Sequence, residues 1–200
     1  MSKPRLVVFT ELYYPEGGAA ELAAHLILGF LHRHFDVTIV TGTQRPSPEV
    51  FRFGRVIHVP WFRGLKPMVW LRSMINAGWF KKFIEDSHII YISSHKLLPI
   101  AIIAKRVSKD ARVIVHLHNY QPISYTSLYL RDREPSPATQ AMIEYLENNS
   151  LTKALITGLI SESNVISKVA VDYADTMICA SNAQLKILNK YIKDITKRPW

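Results

Sequence analysis

Two groups of residues have the types and spacing for chemistry. The first is Glu16-Gly17-Gly18, set between an apolar run from Arg5 to Thr10 and a helical pattern that begins at Ala19. Glycines lack a β-carbon, so a loop built on them can bring its backbone close to a ligand. The helix behind them offers unpaired N–H groups and the positive end of its dipole. That combination suits a phosphate, although a glycine pair is also what a compact turn needs. The second group is His116 and His118, two apart on an apolar run, so both side chains share one face if the strand persists that far. Such a pair can begin a metal site. No third Cys, Asp or Glu lies nearby at zinc-like spacing, however, and strand-end histidines more often satisfy hydrogen bonds. Of the remaining histidines, His25, His32 and His34 read as surface or helix-end residues, and Glu21, in the first helical turn, suits the helix dipole with no further role.

The elements that must position these residues alternate regularly. Apolar, β-branched runs read as strands at Arg5–Thr10, Phe35–Thr41, Val56–Val59, His88–Ile92, Arg112–Leu117 and Thr176–Ala180. Helical patterns run from Ala19 to His34, over residues 66–84, from Leu97 to Val107, and in segments up to Tyr173 that part at Asn148-Asn149-Ser150. Ser181 with Gln184 forms a capping box that starts a last helix toward Tyr191. The first helix is expected to bury Ala19, Leu22, Ala23, Leu26, Ile27 and Phe30, and the 66–84 helix Trp70, Met74, Ala77 and Ile84. Strands apolar throughout and alternating with helices imply an α/β fold, a doubly wound, Rossmann-like parallel sheet of about six or seven strands. Ligands in such sheets bind at the carboxyl ends of the strands. That fixes four loops: Glu11 to Gly18, Thr41 to Pro46, Ser93 to Lys96, and His118 to Pro122.

Composition narrows the partners. Two hundred residues with 48% hydrophobic content suit one domain that needs no staples, and the single cysteine, Cys179, excludes an intramolecular disulfide and fits a reducing compartment. It reads as a small core residue. The N-terminal apolar run is too short for a signal peptide, and the run Leu97 to Ala104 too short to span a bilayer. A net charge of +9 favours anionic partners. No acidic residue occurs between Glu49 and Glu85, where Trp61, Arg63, Lys66, Arg72, Lys81 and Lys82 are interleaved with further aromatics. Basic charge among tryptophans is the composition of an interfacial element, so these six residues are expected to meet an anionic membrane surface; the competing expectation is that the aromatics are core. No nucleic-acid-binding motif is present, and no nucleic-acid partner is expected.

At this point the chain resembles the N-terminal domain of a family 4 glycosyltransferase, one half of a GT-B architecture. The resemblance rests on Tyr14-Pro15-Glu16-Gly17-Gly18 and the helix after it, the strand Val37 to Thr41, the strand Val113 to His118-Asn119, and Ala174-Asp-Thr-Met-Ile-Cys-Ala-Ser181 before a helix. These cover nearly the whole chain in the family's order. Two places depart: His34-Phe35 stand where Gly-His is usual, and Asn119 stands where the family has aspartate. No two glutamates have the spacing of the family's Glu-x7-Glu signature, so residues 1–200 are expected to be the acceptor-side domain, with the donor-binding domain on a C-terminal or partner segment.

The resemblance implies transfer of a sugar from a nucleotide-sugar to a sugar or lipid-linked acceptor, with retention. It needs no metal and no cofactor besides the donor substrate. It places Gly17 and Gly18 on the donor diphosphate, His118 beside the sugar being transferred as the catalytic candidate, and Glu16, Asn119 and Tyr120 toward the acceptor. Glu16 beside a diphosphate would be repulsive, so its side chain should turn away or meet a sugar hydroxyl. The expected setting is cytoplasmic, at the inner face of the membrane. A sugar-nucleotide epimerase half, a non-catalytic GT-B-like module and a stand-alone phosphate-ligand binder remain alternatives.

Overall fold

The computed structural model describes residues 3–192. Six strands are present: β1 (Arg5–Thr10), β2 (Asp36–Thr41), β3 (Arg55–His58), β4 (Ile89–Ile92), β5 (Arg112–Leu117) and β6 (Thr176–Cys179). They form one all-parallel sheet in the order β3-β2-β1-β4-β5-β6. The helices are α1 (Ala19–Leu31), α2 (Val50–Phe53), α3 (Lys66–Ile75), α4 (Ala77–Ile84), α5 (Pro99–Val107), α6 (Pro137–Asn148), α7 (Leu151–Ser161), α8 (Val165–Asp172) and α9 (Asn182–Leu188).

The sheet divides the core in two. Leu6 and Val8 of β1 join Val37 and Ile39 of β2 beneath α1 and α2, while Val7 and Phe9 point the other way into the larger core built with α3, α4, α5 and α8. β1 is thus buried on both faces, as a central parallel strand requires. Helix starts follow local chemistry. Pro67, Pro99 and Pro137 stand in first turns, where a missing N–H costs nothing, and the hydroxyls of Ser136, Ser150 and Ser181 accept from the amides of Thr139, Lys153 and Gln184. Gln184 completes its box one residue further back than expected, its Oε1 accepting from Ala180 N at 2.7 Å.

Helix α1 is rotated relative to expectation. Ala24, His25 and Leu28 are buried, whereas Leu22, Leu26 and Phe30 point outward, Phe30 being 72% exposed. Apolar residues occupy so much of this helix that periodicity does not choose a face; a polar anchor does. His25, expected at the surface, lies in the core with Nδ1 3.1 Å from the Tyr13 hydroxyl and Nε2 3.2 Å from Glu49 Oε2, among the rings of Tyr14 and Phe53.

The single helix expected over 66–84 is two, parted at Asn76, whose side chain donates to the Arg72 carbonyl. Met74, expected in the core, is exposed. The aromatics of this stretch are mainly core. Phe62, Trp70 and Phe80 are buried, and Trp61 stands edge-on to Phe62, Trp79 and Phe80 with centroids within 5.8 Å. Trp61 therefore packs on the core with part of its ring left accessible. Lys66 is likewise withdrawn from the surface, at 6% exposure. Arg63, Arg72, Lys81 and Lys82 remain exposed.

Between β5 and β6 the chain builds α6 and α7 as a close pair. The inward residues of α7 are small, Ala154, Thr157 and Ser161, and a β-carbon on Gly158 would come 3.2 Å from that of Ala141. Leu151, Leu155, Ile156 and Leu159 point outward. The stretch Leu151–Asp172 is long and apolar enough by composition to cross a membrane, a segment the sequence reading passed over. In the fold it is divided by a 3₁₀ turn at Glu162–Asn164 and turns Ser161, Asn164 and Ser167 inward.

Candidate active site

The strand order reverses between β1 and β4, and open α/β sheets place ligands in the crevice that such a reversal leaves at the carboxyl ends. Here that crevice is a cavity of ≈ 140 Å³. Glu11, Ala20 and Glu21 line it from the β1–α1 segment, Ser94 and His95 from the loop after β4, and His116, His118 and Asn119 from the end of β5.

The glycine loop adjoins the β1 side through Ala20 and Glu21; Gly17 and Gly18 themselves are not among the lining residues. Gly17 has φ +90°, and a β-carbon there would come within 2.6 Å of the Glu21 carboxyl group, so both backbone and space demand glycine. A β-carbon on Gly18 would meet nothing within 4 Å. The Gly18 amide donates to Glu21 Oε2 at 2.7 Å. Glu21, expected to have only a helix-dipole role, thus sits with its carboxylate where an incoming phosphate oxygen would go. Glu16 is turned away from the cavity: it pairs with the Arg63 guanidinium and accepts from Thr43 Oγ1 at 3.0 Å.

At the β5 end the His116 and His118 rings lie with centroids 4.0 Å apart. His116 Nδ1 is 2.5 Å from the Tyr91 hydroxyl, and burial pushes that phenol's pKa up, so Tyr91 stays a neutral hydroxyl beside the ring. Burial, with His118 adding to it, lowers the His116 pKa to about 4. His118 is also lowered by burial, with Glu21 pulling in the opposite direction, and His95 falls to about 3 through burial and the cations Lys66 and Lys96. The three imidazoles are therefore neutral at neutral pH. His118 Nε2 is buried without a hydrogen-bond partner among the described residues. Asn119 Oδ1 accepts from Gln121 N, and its carbonyl accepts from Gln184 Nε2. Tyr120 leaves the cavity and packs on Tyr129, centroids 5.6 Å apart. Of the residues expected toward the acceptor, only Asn119 lines the crevice.

Sequence reasoning marked the loop after β4 but not the residues in it that matter. Lys96 Nζ lies 2.6 Å from Glu11 Oε1 and 3.0 Å from the Gly64 carbonyl, tying three loops together. Burial raises the Glu11 pKa against the pull of Lys96. Only an apolar surrounding distinguishes this pair from surface charges, and that is not visible locally. No group of three metal-ligating side chains occurs among the described residues.

A family model described as Glycosyltransferase Family 4 matches residues 16–196. The chain belongs to glycosyltransferase family 4. The solved structure of Phytolacca americana UGT2, complexed with UDP-2fluoro-glucose and pterostilbene, superimposes on this family 4 domain with a TM-score of 0.54 at 10% identity. The match covers 98% of the present chain and 52% of that one, so the family 4 domain spans about half the length of the structure it resembles. At such identity the likeness is one of fold: the sheet is that of a Rossmann-like half of a GT-B enzyme. A search of the curated proteins gave no significant match.

Proposed function

We propose that this family 4 domain is the acceptor-side half of a retaining transferase, which moves a sugar from a nucleotide-sugar to a sugar or lipid-linked acceptor once a donor-binding domain closes over the switch-point cavity. Departure of a nucleoside diphosphate develops negative charge on phosphate oxygens, and preorganised N–H donors stabilise it. The Gly17 and Gly18 amides serve that purpose after Glu21 swings aside. The observation that carries the proposal is the unpartnered, buried His118 Nε2 in the cavity wall. Its neutral ring can exchange a hydrogen bond with the transferred sugar. In the assembled enzyme, His118→Ala should lower kcat by ~10²–10³, about 3 to 4 kcal/mol in the barrier, with little change in donor KM. Unchanged kcat with a raised donor KM would place His118 in binding instead. Interconversion of free nucleotide-sugars without acceptor would favour an epimerase.

A second feature supports a cytoplasmic enzyme working at an anionic bilayer. Opposite the buried Val69, Trp70 and Ser73, α3 turns outward Met68, Leu71 and Ile75, with the exposed Leu65 just before it, where a surface helix ordinarily carries polar residues. Arg63, Arg72, Lys81 and Lys82 are exposed on the same stretch of chain, Arg72 on α3 itself, and supply the positive charge that an anionic surface attracts. Each basic residue near such a surface is worth about 1 kcal/mol, so Arg72→Glu with Lys82→Glu should weaken binding to phosphatidylglycerol vesicles at least tenfold. Co-sedimentation that is insensitive to these changes and to Leu65→Glu with Ile75→Glu returns α3 to a solvated surface.

A further inference from the structure

A second cavity, of ≈ 230 Å³, opens between the β5–α6 connection and the start of α8, and it shares no lining residue with the switch-point crevice. Gln140 and Asn164 provide its most deeply buried polar side chains apart from Ser161, whose hydroxyl donates to the Gly158 carbonyl. Gln140 is 2% exposed, and its Oε1 accepts from Thr126 N at 2.9 Å and from the hydroxyls of Ser124 and Thr126. A backbone N–H can only donate, so the oxygen end is fixed and Nε2 is the end left over, buried with no partner among the described residues. Asn164 is arranged in the same sense. Its Oδ1 accepts from Lys66 Nζ at 2.6 Å, so the amide nitrogen is the end left without a hydrogen bond among the described residues.

Behind that wall Lys66, when protonated, is a cation without a counter-charge among the described residues. Its ammonium lies 5.0 Å from the Trp70 ring centroid and 4.7 Å from that of Tyr125, and no carboxylate pairs with it among the described residues. Lys96 acts on Lys66 with like charge, the neighbouring His95 is neutral, Glu144 acts on the adjoining Tyr125, and burial lowers the Lys66 pKa to about 7. At the rim stand Lys168 and the exposed Glu162, which can turn to water. Pro122, Ile123 and Val165 supply apolar wall. A buried donor left open costs free energy until an acceptor reaches it, and a buried cation calls for an anion.

We propose that this cavity binds a phosphate group, held by the side-chain amides of Gln140 and Asn164 with the Lys66 ammonium behind them as counter-charge and the apolar wall against the carbon part of an ester. The site is independent of the sugar-transfer proposal, and its test reads no transfer activity. Inorganic phosphate and glycerol 3-phosphate are titrated calorimetrically into the chain, and phosphatidic acid vesicles are tested by co-sedimentation. The Lys66 side chain is followed in parallel by NMR of lysine-labelled protein. Phosphate binding should move the Lys66 titration midpoint up by one pH unit or more. Gln140→Glu keeps an oxygen on Thr126 while replacing the free N–H₂ by a second oxygen, and Lys66→Met keeps the aliphatic stem without the charge. Each should weaken binding at least tenfold, with circular dichroism confirming the fold. Tighter binding of the soluble phosphates assigns a free ester, and tighter binding of vesicles a lipid headgroup. A cavity that holds water only gives no binding heat and an unmoved Lys66. That result, or equal affinity in wild type and both variants, overturns the proposal.

Discussion

Replacing Glu21 with Gln removes a charge from the glycine loop while leaving an oxygen for the Gly18 amide. In the structure that amide is 2.7 Å from Glu21 Oε2, and the carboxyl group also fills the space beside Gly17. A diphosphate that takes the amide must displace the carboxylate and then share the loop with it. Two unit charges about 4 Å apart repel by ~4 kcal/mol at an effective dielectric constant of ~20. Partial exposure and salt reduce this several-fold. In the unliganded chain the carboxylate also gains ~0.3–1 kcal/mol from the helix terminus, an advantage that the ligand has to overcome and that Gln lacks. Together these give about 1–2 kcal/mol, so Glu21→Gln should bind diphosphate roughly 5- to 30-fold more tightly than wild type. Calorimetric titration with inorganic pyrophosphate, at low salt and near 0.15 M, measures it, and the gain should shrink as salt rises. Glu147→Gln, on the exposed end of α6, controls for net charge alone. Unchanged or weaker binding by Glu21→Gln, or an equal gain in the control, refutes the assignment of this loop as an anion site guarded by its own carboxylate.

The rotation of α1 is open to an equally direct check. Leu28→Ala should cost ~2–5 kcal/mol of stability in urea unfolding, as for a buried leucine, whereas Leu26→Ala on the outward ridge should stay within about 0.5 kcal/mol; a reversed order would restore the face expected from the sequence. The neutral, buried histidines make stability depend on pH. His116 and His95 bind protons more readily unfolded, near the ordinary 6.5, than folded, near 4 and 3. Stability they contribute is therefore intact above about 6.5 and is lost as pH falls toward 4 and below. Urea midpoints across pH 3.5–7.5 should show that slope, reduced in His95→Asn, and a flat profile would contradict it.

The sheet was legible because its strands are written as uninterrupted β-branched runs, Leu6-Val-Val-Phe9 and Val113-Ile-Val115 among them, separated by patterns with proline in the opening turn. Strand ends shifted by a residue or so, and the reversal at β1 and β4 brought Glu21, at the start of α1, and His118 to one crevice, with Gly17 and Gly18 outside its lining. What sequence reading missed depends on contacts between distant segments. The face of α1 is chosen by His25 reaching Tyr13 and Glu49, and the role of Lys96 by its reach to Glu11. Trp61 and Lys66 have the composition of an interfacial element, yet one packs on Phe62 and Phe80 and the other reaches Asn164. Glu16 was placed toward the acceptor by its neighbours in sequence, while Arg63 holds it elsewhere.

The position of β1 also governs how the chain can fold as it is made. β2 reaches one edge of β1 after a single helix, but the other edge pairs with β4, which is synthesised only after β2 and β3 are complete. A nascent chain that has just released β3 therefore carries a strand meant for burial on both faces with one row of N–H and C=O groups unpaired, the condition under which strands recruit neighbours from other chains. Phe80, in the helix that emerges just before β4, packs edge-on against Phe9 with centroids 5.5 Å apart, so an apolar cover can arrive ahead of the pairing strand. Translation speed through residues 60–92 thus sets how long the sheet waits half-built.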